Sequence, residues 1–354
     1  SSHSFPTRRS SDLLADWLGL RHPDAREVVV SGLVQASGGY SNITLLGELS
    51  WQRAGVQERC GIVVRMQPLG DAVFPDCDVR RQYRTMQALA GSAVPVPALL
   101  GLQETAPPIG APFFVMRQVD GRVPNENPLY HQHGWLHDLD PEAQRAHWFS
   151  GIDTVVNVSR VDCHAPGFDF LRPPPGVTPL GHLLAVSSRH LAWAERLGRP
   201  YPALRAAERW LLAHQPAGEP VALSWGDAKL GNCVFCDGLV VAALDWETAA
   251  LSNPVDDLAW WLVHDESLSA GYGVPRLAGL PTWEETVAHW ERASGHPARD
   301  LAYYEVFAAW RFAIVMARIG TLFMQRGWVS PASAMDLNNG AAAVLATRAA
   351  RHGF

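Results

Sequence analysis

Four polar side chains in the second half of the chain are spaced for chemistry. Asp227 follows the run Leu223-Ser224-Trp225-Gly226, Lys229 comes two residues later and Asn232 five residues after Asp227; Asp245 ends the apolar run that starts at Leu239. An acid in a glycine-containing loop can accept or orient a hydroxyl proton, and a lysine two positions on can reach a transferring phosphate. An amide and a second acid suffice for Mg²⁺, which keeps water and phosphate as its other ligands. Phosphoryl transfer from a nucleotide needs this set, because the protein positions the reactants and neutralises charge with little covalent participation of its own. On this reading Asp227 and Lys229 are catalytic, Asn232 and Asp245 are metal ligands, ATP and Mg²⁺ are the cofactors, and a small-molecule hydroxyl is the acceptor. Each residue taken singly is more at home in two surface loops, as a capping acid or an ordinary strand-ending acid. The ordered spacing, with strand-like Cys233-Val234-Phe235 in between, carries the assignment.

A second group of residues suits the nucleotide. Ser37-Gly38-Gly39-Tyr40-Ser41-Asn42 lies between the strand-like runs Val28–Val30 and Ile43–Leu46. The glycines let backbone N–H groups approach phosphates closely and the hydroxyls add donors, so Ser37, Gly38, Gly39, Ser41 and Asn42 are cofactor-binding candidates, with a plain hairpin turn as the alternative. Arg65 ends the apolar run from Gly61, where a cation can hold the α- and β-phosphates or simply snorkel from an edge strand.

The elements that must position these groups fall into two textures. Strand patterns at 28–50, 61–66, 98–102 and 113–116, with one helical pattern at 78–90, predict a small antiparallel sheet carrying one helix. After Asp120-Gly121 come helical patterns at 142–161, 179–197 and 201–214, two short apolar runs at 221–247, and helices from about 254 onward interrupted near 267–281. The expectation is an α+β chain with an N-lobe over 13–118 and a larger mainly helical C-lobe over 119–354. Residues 1–12, Ser- and Arg-rich and without periodicity, are expected to be a disordered tail or an artefact of the sequence end.

Composition excludes several classes. The 354 residues are 47 % apolar and 18 % charged with a net charge of −6 and no basic run, which gives no support to a nucleic-acid or anionic-membrane partner. No uninterrupted apolar run reaches about 18 residues and no signal segment is evident at the start. Five scattered cysteines fit a reducing, cytoplasmic setting, and Cys233 and Cys236 read as core residues of a strand. His131 and His133, in a Pro/Asn-rich loop, read as solvent-facing. Asp256 suits the N-terminus of a helix, and Asp257 is placed to bond back to the loop around Asp227.

The chain resembles the aminoglycoside phosphotransferase/choline kinase-like superfamily, nearest the branch related to the kinase-like domain of some acyl-CoA dehydrogenases. Trp225-Gly226-Asp227 with Asn232, and Leu244-Asp245-Trp246-Glu247 through Asp257-Leu258-Ala259-Trp260, carry the likeness most specifically. Support comes from Ser37 to Asn42, Ile62-Val63-Val64-Arg65, Arg81-Gln82-Tyr83-Arg84, Val94-Pro95-Val96-Pro97 and Phe113-Phe114-Val115-Met116 with Asp120-Gly121. The resemblance implies a bilobal protein-kinase-like fold with ATP between the lobes. It makes Asp227 the base, Asn232 and Asp245 the magnesium ligands, Arg65 the phosphate clamp and Met116–Val119 the hinge whose backbone meets the adenine. Trp225 stands where the family usually has His, Gln82 where it has the helix acid, and Arg65 where it has Lys. Those departures keep open a catalytically weak module that binds a nucleotide or metabolite. The paucity of clustered acids after Asp120 favours a neutral or apolar-bearing hydroxy compound over a polycationic antibiotic, and the resemblance suggests a hydroxyacyl thioester.

Overall fold

A computed structural model of the protein describes residues 8–36, 42–68, 70, 72–218 and 220–354. The chain divides into two compact units, one of Ser1–Ala90 and Val96–Asp120, the other of Gly91–Pro95 and Gly121–Phe354.

In chain order the first unit contains α1 (Arg8–Arg21), β1 (Ala25–Gln35), β2 (Ile43–Arg53), β3 (Val56–Met66), α2 (Val79–Leu89), β4 (Leu99–Gln103) and β5 (Phe113–Arg117). The strands form one antiparallel sheet in the order β1-β2-β3-β5-β4. Alternation explains its buried face: Ile62, Val64 and Met66 of β3 are buried together with Leu45, Leu49, Phe113 and Val115 of neighbouring strands. β2 and β3 pair without a bulge from Ile43–Met66 to Arg53–Val56, which sets Thr44 opposite Arg65.

Two expectations are corrected here. The sheet carries two helices, because α1 buries Leu14, Trp17 and Leu18 in the same core, and the Trp17 indole donates to Gln103 at 2.8 Å. α1 also starts at Arg8, inside the stretch expected to be a tail. Its first residues, Arg8–Asp12, carry no apolar side chain, so nothing in that stretch marks the helix start; the buried positions Leu14, Trp17 and Leu18 all follow it. α2 is N-capped by Asp78, which accepts from the Arg80 N–H at 2.9 Å and pairs with the Arg80 guanidinium at 2.8 Å. Asp78 is thereby committed to the cap of its own helix.

The second unit contains α3 (Pro141–Ser159), α4 (Pro179–Leu197), α5 (Pro202–Ala213), β6 (Ala222–Ser224), β7 (Cys233–Cys236), β8 (Leu239–Ala243), β9 (Ala250–Ser252), α6 (Val255–Leu268), α7 (Trp283–Ser294), α8 (Leu301–Gln325) and α9 (Gly340–His352). β6 pairs with β9 and β7 with β8, both antiparallel. Start signals are explicit: Pro in the first turn of α3, α4 and α5, side-chain caps from Asp140 and Thr178, and a Thr282–Glu285 capping box on α7. α6 is buried on nearly every side, which is why its sequence shows almost no polar stripe. α8 is long and apolar enough to cross a membrane by length and composition, yet it packs against α4, α5, α6 and α9 as the central helix of this unit.

Contact between α3 and α6 depends on a glycine. A β-carbon on Gly151 would lie 2.2 Å from the ring of Trp261, which is buried and set edge-on against Trp148 at 5.5 Å. Alanine gains helix propensity of about 1 kcal/mol over glycine. Overpacking against a locked indole costs about 1–3 kcal/mol. Gly151→Ala is therefore expected to lose about 1 kcal/mol net in denaturant unfolding; a variant more stable than wild type would contradict this packing.

Candidate active site

The loop between β6 and β7 is held from below by one carboxylate. Asp257, in the first turn of α6, accepts from Ser224 Oγ at 2.8 Å, the Trp225 N–H at 2.7 Å and the Gly226 N–H at 2.9 Å. This is the back-bond expected from the sequence. Gly226 is required by geometry: its φ is +84°, and a β-carbon there would lie 2.3 Å from the Thr248 carbonyl oxygen. Asp256 lies deeper, pairing with Arg311 at 2.5 Å and accepting from Ser252 Oγ at 2.8 Å.

Past the glycine the chain presents Asp227. Its Oδ2 accepts from the Asn232 amide at 2.8 Å and lies 3.6 Å from the Lys229 ammonium; its Oδ1 accepts from the Trp260 indole at 3.0 Å. Burial alone would push the Asp227 carboxyl up. The Lys229 charge, His264 and the Asn232 and Trp260 hydrogen bonds outweigh it and hold the carboxyl below its ordinary value. Lys229 is opposed by burial in the same way, and the nearby Asp227 and Glu126 carboxylates outweigh it, keeping the amine firmly protonated.

The Asn232 amide nitrogen donates twice, to the Asp227 backbone oxygen at 2.9 Å and to its carboxylate, which leaves Oδ1 as the side chain's acceptor. The Leu244 N–H donates to the Asn232 carbonyl at 2.8 Å, tying the turn after β8 to that of Asn232. Asp245 follows with φ +60°, a left-handed conformation uncommon outside glycine, and its charge acts on Lys229. Trp225 supplies the same tie from the other side. Its indole donates to the Leu244 carbonyl at 2.8 Å and its ring stacks on Trp246 at 5.3 Å. The tryptophan thus braces the Asp227 loop against the Asp245 turn.

Asp227, Lys229, Asn232 and Asp245 are therefore brought together in the second unit. In the first unit, Arg65 donates to its cross-strand neighbour Thr44 at 3.0 Å, Asn42 is buried at the start of β2, Met116 is buried on β5 and Val119 is half-buried just beyond it. Ser37, Gly38, Gly39 and Ser41 lie outside the described residues.

Sequence reasoning missed three residues of this site. Trp260 and His264 sit one helical turn apart on α6, on the side facing Asp227, but in a helix buried on all sides no pattern separates that face from the core. Glu126 comes from an irregular loop and offers no motif; its Oε2 lies 3.1 Å from the Lys229 ammonium and its Oε1 3.6 Å from His264 Nε2. Two expectations elsewhere are corrected. His131 is buried, 3.1 Å from Asp265, because Asp265 also gathers Tyr130 and Arg276 into one interior network. Cys233 is core as expected, but Cys236 is exposed, since it ends β7 at a tight turn.

A sheet unit of this order, followed by a helical unit that presents an acid, a lysine and an amide on one loop, defines the kinase-like phosphotransferases. Residues 47–303 match the APH phosphotransferase enzyme family, and the chain belongs to that family. Acyl-CoA dehydrogenase family member 10 of Mus musculus is 27 % identical over 266 residues, which cover 72 % of this chain and 24 % of that protein, so the chain spans about a quarter of its relative's length. Among solved structures, a Ralstonia eutropha protein provisionally described as an aminoglycoside phosphotransferase superposes with a TM-score of 0.70 at 22 % identity, covering 96 % of this chain and 98 % of that one. A thermostable mutant of aminoglycoside phosphotransferase APH(4)-Ia, in ternary complex with ADP and hygromycin B, gives 0.56 at 17 % identity, covering 94 % and 98 %. The fold is the aminoglycoside phosphotransferase kinase-like fold, with an antiparallel N-terminal sheet and a mostly helical C-terminal part.

The clamp under the loop has a pH signature. Burial, and then the neighbouring Asp256, push the Asp257 carboxyl from 3.8 up to about 6, against the pull of its three donors. The folded chain therefore holds this proton more tightly than the unfolded chain. That contribution is complete below about pH 4 and is lost as the pH rises through about 6, a span worth about 3 kcal/mol. Urea unfolding of wild type and Asp257→Asn should show the wild-type stability falling relative to the variant over that window. A difference independent of pH would contradict it.

Proposed function

We propose that the protein transfers the γ-phosphoryl group of ATP to a hydroxyl of a small molecule. The observation that carries this reading is the convergence on one Asp227 carboxylate of the Asn232 amide, the Trp260 indole and the Lys229 ammonium, all within 3.6 Å. An ionised carboxylate so fixed is suited to orient the acceptor hydroxyl and take its proton as the O–P bond forms. Lys229 is suited to offset charge on the transferring phosphate. Arg65 at the end of β3, the backbone of residues 37–42 and that of Met116–Val119 are the proposed contacts to the phosphates and adenine.

The donor set also fits magnesium. Asn232 has its nitrogen committed and its oxygen as the remaining acceptor, and Asp245 supplies an anionic oxygen from the adjoining turn, a hard and sparse set of the kind Mg²⁺ accepts. Bound there, the ion would neutralise the β- and γ-phosphate oxygens.

The acceptor we propose is a neutral or apolar-bearing hydroxy compound, with a hydroxyacyl thioester as the leading case. Trp260 packs against Phe312 at 5.7 Å and His264 against the same ring at 4.9 Å, so aromatic surface neighbours the base. The nearby acid Glu126 is already paired with Lys229, which leaves little uncompensated negative charge for a polycation. The name of the mouse relative, an acyl-CoA dehydrogenase family member, is in keeping with a thioester.

Mg·ATP consumption should be followed against sugars, alcohols, aminoglycosides and hydroxyacyl-CoA compounds. Acceptor-dependent ADP release is expected, with Asp227→Ala lowering kcat by about 10³-fold or more while the variant remains folded. Tight ATP binding without turnover on any acceptor would select the binding-module reading, and a fully active Asp227→Ala would remove Asp227 from the chemistry.

A further inference from the structure

Lys229 differs in kind from every other cation in the chain. Of the 29 basic residues it is the single lysine, and all the others are arginine. Its ammonium sits 3.1 Å from Glu126 Oε2 and 3.6 Å from Asp227 Oδ2, with the side chain 17 % exposed. An ammonium is a compact charge with three donors that can point at three different acceptors. Glu126 accepts one of these N–H groups and Asp227 lies at ion-pair distance, so the ammonium keeps N–H groups to offer a phosphate oxygen. A guanidinium is a larger, planar fork with its donors in fixed directions, and does not reproduce a compact ammonium set between two carboxylates.

Glu126 is itself built in. Its Oε1 is shielded from solvent without a hydrogen-bond partner among the described residues, and a β-carbon on Gly231 would lie 2.2 Å from that oxygen. The glycine between Lys229 and Asn232 therefore makes room for the Glu126 carboxylate. The loop that carries Glu126 is fastened at both ends. Arg122 and Phe235 exchange backbone hydrogen bonds at 2.8 Å, the Trp135 indole donates to the Val123 carbonyl at 2.9 Å, and Asn125 donates to the His133 carbonyl at 3.1 Å.

We propose that Glu126 is a positioning residue that holds the ammonium of Lys229 beside Asp227, with Gly231 as the gap that admits it. The anchoring follows from geometry alone; its kinetic consequence rests on the phosphotransferase reading. Glu126 touches Lys229 and His264 and acts on the reaction only through them.

The single lysine makes the test direct, because protein grown on ¹⁵N-lysine carries one side-chain ammonium resonance. In wild type that resonance should be protected from solvent exchange. Glu126→Gln should speed its exchange at least 10-fold, and Gly231→Ala, which displaces Glu126 without altering its charge, should do the same. Unchanged exchange in both folded variants would overturn the anchoring. Should Glu126→Gln fail to fold, Glu126→Asp, with the carboxylate drawn back by one methylene, reads the same quantity. In turnover, Glu126→Gln should lower kcat at least 10-fold with KM for ATP within about threefold. Glu126→Gln/Lys229→Met should be no slower than Lys229→Met alone, and Lys229→Arg should not restore the rate. Additive losses in the double variant, or full activity of Lys229→Arg, would overturn the role. A wild type that phosphorylates nothing would sink the phosphotransferase reading, while the exchange rates still decide the anchoring.

Discussion

The site is organised by a carboxylate that does no chemistry. Asp257 gathers one hydroxyl and two consecutive backbone N–H groups of the loop before Asp227, and this fixes the direction in which that loop leaves β6. A buried loop whose N–H groups lacked partners would lose about 1–3 kcal/mol for each. Because α6 supplies both Asp257 and, one turn further, Trp260, the same helix orients the loop from beneath and holds the Asp227 carboxylate from the side. The geometry around Asp227 is thereby referred to the interior of the helical unit, where α6 is buried on nearly every side.

One aromatic side chain, Trp225, stands where the family resemblance leads one to expect His. Trp225 spans from the Asp227 loop to the Leu244 carbonyl and stacks on Trp246, so the two turns that carry Asp227 and Asp245 are joined by a ring and one hydrogen bond. An imidazole could supply a similar bond, but the indole adds buried area and a rigid donor. Read from the sequence, Trp225 is one of the departures that keep a binding module open. In the folded chain it is a brace between the two turns.

How much of this was legible in the sequence follows from the range of the interactions involved. The loop from Leu223 to Asn232 and the turn at Asp245 are local, with residues at short fixed spacings, and their convergence could be read directly. The sheet and most helices were also legible, since period-2 strands and proline- or Asx-capped helices announce themselves. Helix α1 was not, because its apolar face is short and its polar first turn lies in the stretch set aside as a tail. His131 misled because a histidine in a Pro/Asn-rich loop looks solvated until Asp265, 134 positions away, arrives to pair with it. Glu126 and His264 were invisible for the same reason. Each is defined by a contact across more than a hundred residues, or by one face of a helix without a polar side, and neither leaves a periodic trace.

What unites these features is a proposed site for one divalent ion and a triphosphate, built from Asn232 and Asp245 beside an oriented Asp227. Binding of Mn²⁺ in the presence of ADP, followed by electron paramagnetic resonance on wild type and Asp245→Asn, tests it most directly. Nucleotide-dependent Mn²⁺ binding is expected in wild type, weakened at least about 10-fold in the variant at equal thermal stability. Equal Mn²⁺ affinity in the two proteins, or no dependence on nucleotide in wild type, would contradict the account.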